Sequence, residues 1–331
     1  MLWKSVCCAV QGRGHKKKDI PCQDMVMRRE ENGVHVIALA DGAGSAKFSH
    51  YGAECVVNRM SAFVVDRFFD LIAEEDGRKV KKEILSVILR ALENEAELHE
   101  CKLNDLASTL LVAAVSDEKF FIVHLGDGVI GYLNDEGLKT ASIPENGEFS
   151  NETVFVTSAD AAKHMRIYKG LIKSISGFIL MSDGTEQSLY NKRTKNLAVA
   201  VKRLMHRTCM VSNEILTPQL EDALKSVILE NTQDDCSIAI LARHSESLPP
   251  LNTLPFSERQ NLYHVLGSPA FLRIRKKVSR YDKICELLKN PLTLNQIARK
   301  LHLKPIYAKR KLQELIDVGI ITRTGFGYKT Y

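Results

Sequence analysis

Three apolar runs end in Asp-Gly: Val36-Ile-Ala-Leu-Ala-Asp41-Gly42, Ile122-Val-His-Leu-Gly-Asp127-Gly128 and Phe178-Ile-Leu-Met-Ser-Asp183-Gly184. Each places a carboxylate at the end of a rigid buried segment, where glycine lets backbone or ligand come close. Asp-Gly is also ordinary turn chemistry. Turn chemistry alone does not account for Asp41 and Asp183, because neither is followed by the short return strand that an Asp-Gly hairpin needs. Two further acidic positions flank predicted strands. Asp24 follows Pro21-Cys22-Gln23, and Asp234-Asp235 precedes Cys236-Ser-Ile-Ala-Ile-Leu241. Carboxylates converging from strand ends repel one another unless cations sit between them. Oxygen-only ligands select hard ions, Mg²⁺ or Mn²⁺, over zinc.

Other hydrolytic chemistries fit poorly. Cys22-Gln-Asp-Met-Val-Met-Arg28 has the C-x₅-R spacing of a thiol phosphatase. That chemistry needs a glycine-rich loop of N–H groups and a thiol of lowered pKa. Gln-Asp-Met-Val-Met has no glycine and reads as the start of a strand. The chain holds no P-loop, G-x-S-x-G or H-E-x-x-H pattern. Its eight cysteines are scattered without a CxxC pair, which argues against a zinc ribbon or a disulfide framework. A reducing cytoplasm is the expected compartment. The first ten residues lack a signal-peptide core, and no apolar run approaches the roughly 18 residues of a membrane span.

These carboxylates need strands to hold them. The chain has 331 residues, of which 45% are hydrophobic and 26% charged, as expected for two globular domains. Strands are predicted at Ser5–Val10, Val34–Ala40, Thr109–Val115, Lys119–Leu125, Val129–Leu133, Gly177–Ser182 and Cys236–Ala242. Helical spacing of Val57, Met60, Val64, Phe68 and Ile72, and again of Val80, Ile84, Val87, Ala91 and Leu98, predicts two consecutive amphipathic helices. Two more helices are expected near Asn196–Met210 and Glu214–Glu230. Antiparallel strands grouped around helix pairs give an α+β fold, not a doubly wound parallel sheet.

The expected domains are 1–243, a Pro-rich linker at 244–256, and 257–331. Charge divides the same way. From Asn252 onward 16 Lys and Arg face five Asp and Glu, a net of +11, which leaves −5 for the first 251 residues of a chain whose total is +6. The basic segment reads as three helices and a β-ribbon, similar to a winged helix-turn-helix. Thr293-Leu-Asn-Gln296 is a capping box, and Pro305 suits the first turn of the third helix. That helix is expected to present Tyr307, Lys309, Arg310 and Lys311. With Arg323 on the ribbon, Lys309, Arg310 and Lys311 are the candidate contacts to DNA or to an acidic protein surface.

The first part of the chain resembles the metal-dependent Ser/Thr protein phosphatases (the PPM family, type 2C), particularly a bacterial branch. The stretches that carry the resemblance are Gly14-His-Lys-Lys-Lys-Asp-Ile-Pro-Cys-Gln-Asp24, Ala40-Asp-Gly-Ala-Gly-Ser-Ala-Lys47, Ser108-Thr-Leu-Leu111 with His124-Leu-Gly-Asp-Gly128, Met181-Ser-Asp-Gly184, and Asp234-Asp-Cys-Ser237. The resemblance implies an antiparallel β-sandwich flanked by helix pairs (αββα) and two Mn²⁺ or Mg²⁺ ions that activate water against a phosphorylated protein. It implies that Asp41 bridges both ions and that the Gly42 carbonyl binds one. It further implies that Asp183 and Asp234 hold one ion and Asp24 serves the other. Asp235 follows the implied ligand and is expected to matter much less. Arg13, with His15 as rival, would bind the substrate phosphate. Two positions depart from the family pattern. Gln23 stands where many members have Glu. Gly128-Val129 follow Asp127 where Ser-Arg is common, which weakens a third metal site there. The other reading is a DNA-binding regulator whose phosphatase-like domain senses or turns over poorly.

Overall fold

The computed structural model describes residues 3–116, 118–144, 153–243, 254–263, 265–318, 320–325 and 327–330. Its first half runs β1 (Trp3–Val10), α1 (Arg13–Lys17), β2 (Asp24–Glu31), β3 (Val34–Asp41), α2 (Ser49–Ala73), α3 (Gly77–Leu98), β4 (Leu110–Val115), β5 (Lys119–Leu125), β6 (Val129–Asn134) and β7 (Gly137–Ser142). It continues through α4 (Ala161–His164), β8 (Arg166–Leu171), β9 (Gly177–Met181), α5 (Asp183–Leu189), β10 (Tyr190–Asn191), β11 (Asn196–Leu197), α6 (Val199–Met210), α7 (Asn213–Ala223) and β12 (Cys236–Arg243). Then come α8 (Phe256–Leu262), α9 (Leu272–Leu287), α10 (Leu294–Lys300), α11 (Pro305–Asp317), β13 (Ile321–Thr324) and β14 (Gly327–Thr330).

Two five-stranded sheets, with orders β1-β12-β9-β6-β7 and β2-β3-β4-β5-β8, dominate the first part of the chain. All their pairings are antiparallel. This is the mixed α and β architecture with antiparallel sheets expected from the sequence. Alternation along β3 explains its continuous apolar run, since successive side chains point to opposite faces. Val34, Val36, Ala38 and Ala40 join a buried cluster with α2 and α3 residues such as Val56, Met60 and Ile84. Ile37 and Leu39 join a second cluster with Leu111 and Ala113 of their own sheet and Phe178, Leu180, Ala239 and Leu241 of the other. Between α2 and α3 the chain turns at Asp76, which caps α3 by accepting the Arg78 N–H at 2.9 Å.

The chain divides into two compact units, residues 1–205 with 217–247 and residues 206–216 with 248–331. Of the expected linker, 244–253 lie outside the described residues. In the second unit, Thr293 and Gln296 make both bonds of the capping box, and Pro305 opens α11. Ile284, Leu288, Ile297, Ala308, Leu312 and Leu315 are buried. The backbones of Leu292 and Tyr328 bond reciprocally at 3.1 and 2.8 Å, adding a third edge to the β13–β14 hairpin.

Candidate metal centre

Four carboxylates stand where four strands begin or end. Asp24 opens β2 and Asp41 closes β3, and the two residues face each other across the ladder. Asp183 follows β9 as the first residue of α5, and Asp234 lies two residues before β12. The backbone around them is fixed by local bonds. The Asp41 N–H donates to Thr109 Oγ1 at 2.9 Å, and the Thr109 N–H donates to the Asp41 carbonyl at 2.8 Å. The Gly42 N–H donates to the Gln23 carbonyl at 3.0 Å. The Gln23 amide in turn reaches Ser49 Oγ, at the start of α2, at 2.7 Å. The Ser237 N–H donates to Ser182 Oγ at 3.0 Å, tying the end of β9 to the start of β12.

All three Asp-Gly glycines are required by close approach. A Cβ on Gly42 would meet Ser49 at 2.8 Å, one on Gly128 the Met181 carbonyl oxygen at 2.6 Å, and one on Gly184 the Asp235 carbonyl oxygen at 2.0 Å. Gly128 belongs to a different device. At Asp127-Gly128 the chain leaves β5 in one sheet for β6 in the other. Asp127 Oδ2 there accepts the Thr153 hydroxyl at 2.6 Å.

The electrostatics are those of crowded acids. Burial pushes the Asp24 carboxyl up to about 8; the Asp235 and Asp183 charges add to the rise, and the Ser182 and Ser237 hydroxyls oppose it. Burial also pushes Asp183 up to about 6, helped by Asp234 and Asp127. Asp41 rises well above the usual carboxylate range through burial and then the charges of Asp24, Asp183, Asp127 and Asp234. Asp24 Oδ2 and Asp183 Oδ1 are buried with no hydrogen-bond partner among the described residues. Among those residues no group of three or more His, Cys, Asp or Glu side chains is arranged to hold a metal ion. The carboxylates lie close enough to raise one another's pKa, and the two bare oxygens are of the kind that hard cations would satisfy.

Arg13 and His15 turn toward the segment that carries Asp234. Arg13 Nη2 donates to the carbonyls of Glu230 and Thr232, both at 3.1 Å. His15 Nδ1 lies 2.9 Å from Asp235 Oδ2. Asp235 itself is buried and accepts the backbone N–H groups of Gly12 and Gln23, each at 2.6 Å. Sequence spacing does not reveal that anchoring role, because the bonded partners are more than 200 positions away. Glu186 and Lys192 also emerge only in the structure. Glu186 has a fully buried side chain, one turn along α5 from Asp183, and pairs with the ammonium of Lys192 at 2.5 Å. Its place one turn after Asp183 in a helix is the only signal in the sequence.

In the second unit Lys309, Arg310 and Arg323 are exposed. Lys311 departs from the expectation that it is presented outward. Its side chain is only 14% exposed and its ammonium lies 2.7 and 2.8 Å from the two Glu314 oxygens. The Tyr281 ring, 5.6 Å away, completes the reason: α11 turns this lysine inward against α9.

The family model for protein phosphatase 2C matches residues 11–225. The chain therefore belongs to the protein phosphatase 2C family, the PPM-type Ser/Thr phosphatases. It is similar to serine/threonine-protein phosphatase 3 of Escherichia coli K12, at 24% identity over 72% of this chain and 98% of that one. Its fold resembles a bacterial serine phosphatase crystal structure, with a TM-score of 0.52 and 16% identity over 74% of this chain and 99% of the other. It also resembles the serine/threonine phosphatase Stp1 of Staphylococcus aureus, with a TM-score of 0.51 and 15% identity over 74% and 96%. No helix among the described residues is long and apolar enough to cross a membrane.

Proposed function

We propose that residues 1–243 are a Mn²⁺- or Mg²⁺-dependent phosphatase that hydrolyses phospho-Ser/Thr proteins at two ions held by the carboxylate rim. The observation that carries this reading is the crowding of Asp24, Asp41, Asp183 and Asp234, with buried Asp24 and Asp183 oxygens lacking any donor among the described residues. In this reading Asp41 would serve both ions, the Gly42 carbonyl one of them, Asp183 and Asp234 would hold one, and Asp24 would serve the other. Bound ions of this kind make a water nucleophilic near neutral pH and neutralise the phosphoryl oxygens. The chain's own part is placement. Thr109 fixes the Asp41 backbone and Gln23 fixes Gly42, while Arg13 and His15, which border the Asp234 turn, would bind the substrate phosphate. Similarity to serine/threonine phosphatases of E. coli and S. aureus supports phospho-Ser/Thr as the substrate class.

The sheets that share one buried cluster support the β-sandwich reading. The capping box, Pro305 and the β13–β14 ribbon support a winged helix at 257–331, joined by a linker at 244–256. Exposed Lys309, Arg310 and Arg323 suit DNA or an acidic protein surface. Eight free cysteines suit a reducing cytoplasm. The test is hydrolysis of p-nitrophenyl phosphate and of a phosphoserine peptide with Mn²⁺ and with EDTA. Activity that survives EDTA and is lost on thiol alkylation would overturn the reading.

A further inference from the structure

The second unit carries a basic concavity that neither the family nor the ribbon explains. Arg275, Lys276, Arg280 and Lys283 recur along one face of α9, at the spacing that brings helical residues onto a common side. Together with Leu301 and Leu303, from the turn between α10 and α11, they line a pocket of about 460 Å³. All four cations are exposed. No acidic group among the described residues pairs with Lys276, Arg280 or Lys283. Of the two acids on α9, Asp282 is engaged elsewhere, pairing with Arg259 at 3.2 Å and accepting the Tyr263 hydroxyl at 2.8 Å, and exposed Glu286, one turn beyond Lys283, is not part of the lining. Arg275 donates its Nε to the Pro269 carbonyl at 3.1 Å, which holds its guanidinium over the α8–α9 connection. The Ser279 hydroxyl, one turn from Arg275 and Lys283, adds a neutral donor to the lining.

Four positive charges around a concave opening with leucines in its wall select a compact anion on an apolar stem. A duplex spreads its phosphates along a rigid rod and is met by protruding helices and wings. A phosphorylated side chain in a peptide presents one dianion with three acceptor oxygens, flanked by side chains that two leucines can cover. We infer that the α9 pocket is a docking site for a phosphorylated peptide segment, separate from the carboxylate rim. This rests on the phosphatase reading and deepens it: the second unit would capture phosphoproteins through a phosphate that the rim does not cleave in that encounter.

The test uses the full chain in EDTA and a fluorescein-labelled peptide with one phosphoserine between leucine and alanine residues. Anisotropy should show that Lys276→Glu with Arg280→Glu weakens binding by about tenfold or more, as expected for loss of two charge-assisted contacts. The neutral pair Lys276→Gln with Arg280→Gln should weaken it less, which guards against misfolding of the reversed variant. Lys309→Glu with Arg310→Glu should bind as wild type does. Hydrolysis of p-nitrophenyl phosphate in Mn²⁺ should stay within about twofold of wild type in the Lys276/Arg280 variants, because a small ester needs no docking site. Equal binding of the unphosphorylated peptide, equal binding by the reversed variant, or displacement of the peptide by a duplex DNA at lower concentration than by unlabelled phosphopeptide would each overturn the assignment. If the phosphatase reading alone is wrong, hydrolysis is absent while the Lys276- and Arg280-dependent binding remains.

Discussion

Asp24 and Asp41 stand directly opposite each other on β2 and β3, two carboxylates in one cross-strand pair at the end of the ladder. Like charges in such a pair destabilise a sheet unless something neutralises them. Asp41→Asn should therefore lower Mn²⁺-dependent turnover by about a hundredfold or more, and Asp183→Asn and Asp234→Asn should do likewise. Steady-state rates and Mn²⁺ titrations check this. Near-wild-type turnover in all three variants would remove the two-ion assignment.

The same crowding sets a pH dependence. Burial, reinforced by neighbouring acids, raises Asp24 to about 8 and Asp183 to about 6 in the folded chain. The unfolded chain releases those protons near pH 4. A carboxyl whose folded pKa is raised contributes stability below the unfolded pKa and loses it as pH rises through the folded value. The melting midpoint in EDTA should accordingly fall between about pH 5 and pH 8, and Mn²⁺ should remove the fall. Asp24→Asn should flatten the metal-free profile. An unchanged midpoint across that range in wild type without metal would show that the rim is neutralised some other way.

Asp235 adjoins the rim in sequence, yet its burden is structural. It accepts the Gly12 and Gln23 N–H groups at 2.6 Å and pairs with His15. Asp235→Ala should leave two buried donors bare and cost about 2–5 kcal/mol in urea unfolding. Asp235→Asn keeps one acceptor oxygen and should cost less. If the alanine variant unfolds at the wild-type urea midpoint, Asp235 is not an anchor.

Cys22 has no part in the chemistry proposed. Burial and the charges of Asp235 and Asp24 push its thiol up, away from the thiolate. Cys22→Ser should retain at least about half of wild-type turnover, and iodoacetamide should label Cys22 slowly at pH 7. Rapid labelling coupled to inactivation would contradict this.

Glu314 is the hinge of charge in the second unit. Burial raises its carboxyl, but Lys311, the Tyr281 hydroxyl and Lys277 outweigh that and hold it at about 2. A depressed carboxylate contributes stability above its unfolded pKa, lost as pH falls toward the folded value. Glu314→Gln should destabilise the chain at neutral pH and cost progressively less between about pH 4.5 and pH 2. Circular dichroism melts of both proteins across that range decide the point.

The strands that matter most are readable from sequence because both their faces are buried. β3 alternates between two apolar clusters, so every residue from Val34 to Ala40 is hydrophobic apart from His35. The edge strand β8 is not readable: it mixes Arg166, Tyr168 and Lys169 with apolar residues and lies outermost in its sheet. The Asp-Gly ends announce the rim, but Thr109 and Ser182 are recognisable only once remote strands meet. Lys311 cannot be told from Lys309 and Arg310 by helical spacing, because Tyr281 and Glu314 decide which lysine turns inward.

β1 pairs along its whole length with β12, from Trp3 opposite Arg243 to Val10 opposite Cys236. During synthesis β1 must therefore wait for β12, the last strand of the two five-stranded sheets. The Gly12–Asp235 bond spans 223 positions and likewise needs the segment that leads into β12. A nascent chain stopped before residue 234 lacks a rim carboxylate, the anchor that fixes Gln23, and the partner of its own first strand. In the proposed reading synthesis carries a built-in safeguard: truncated products would be inactive, and catalytic competence would arrive only as β12 joins its sheet.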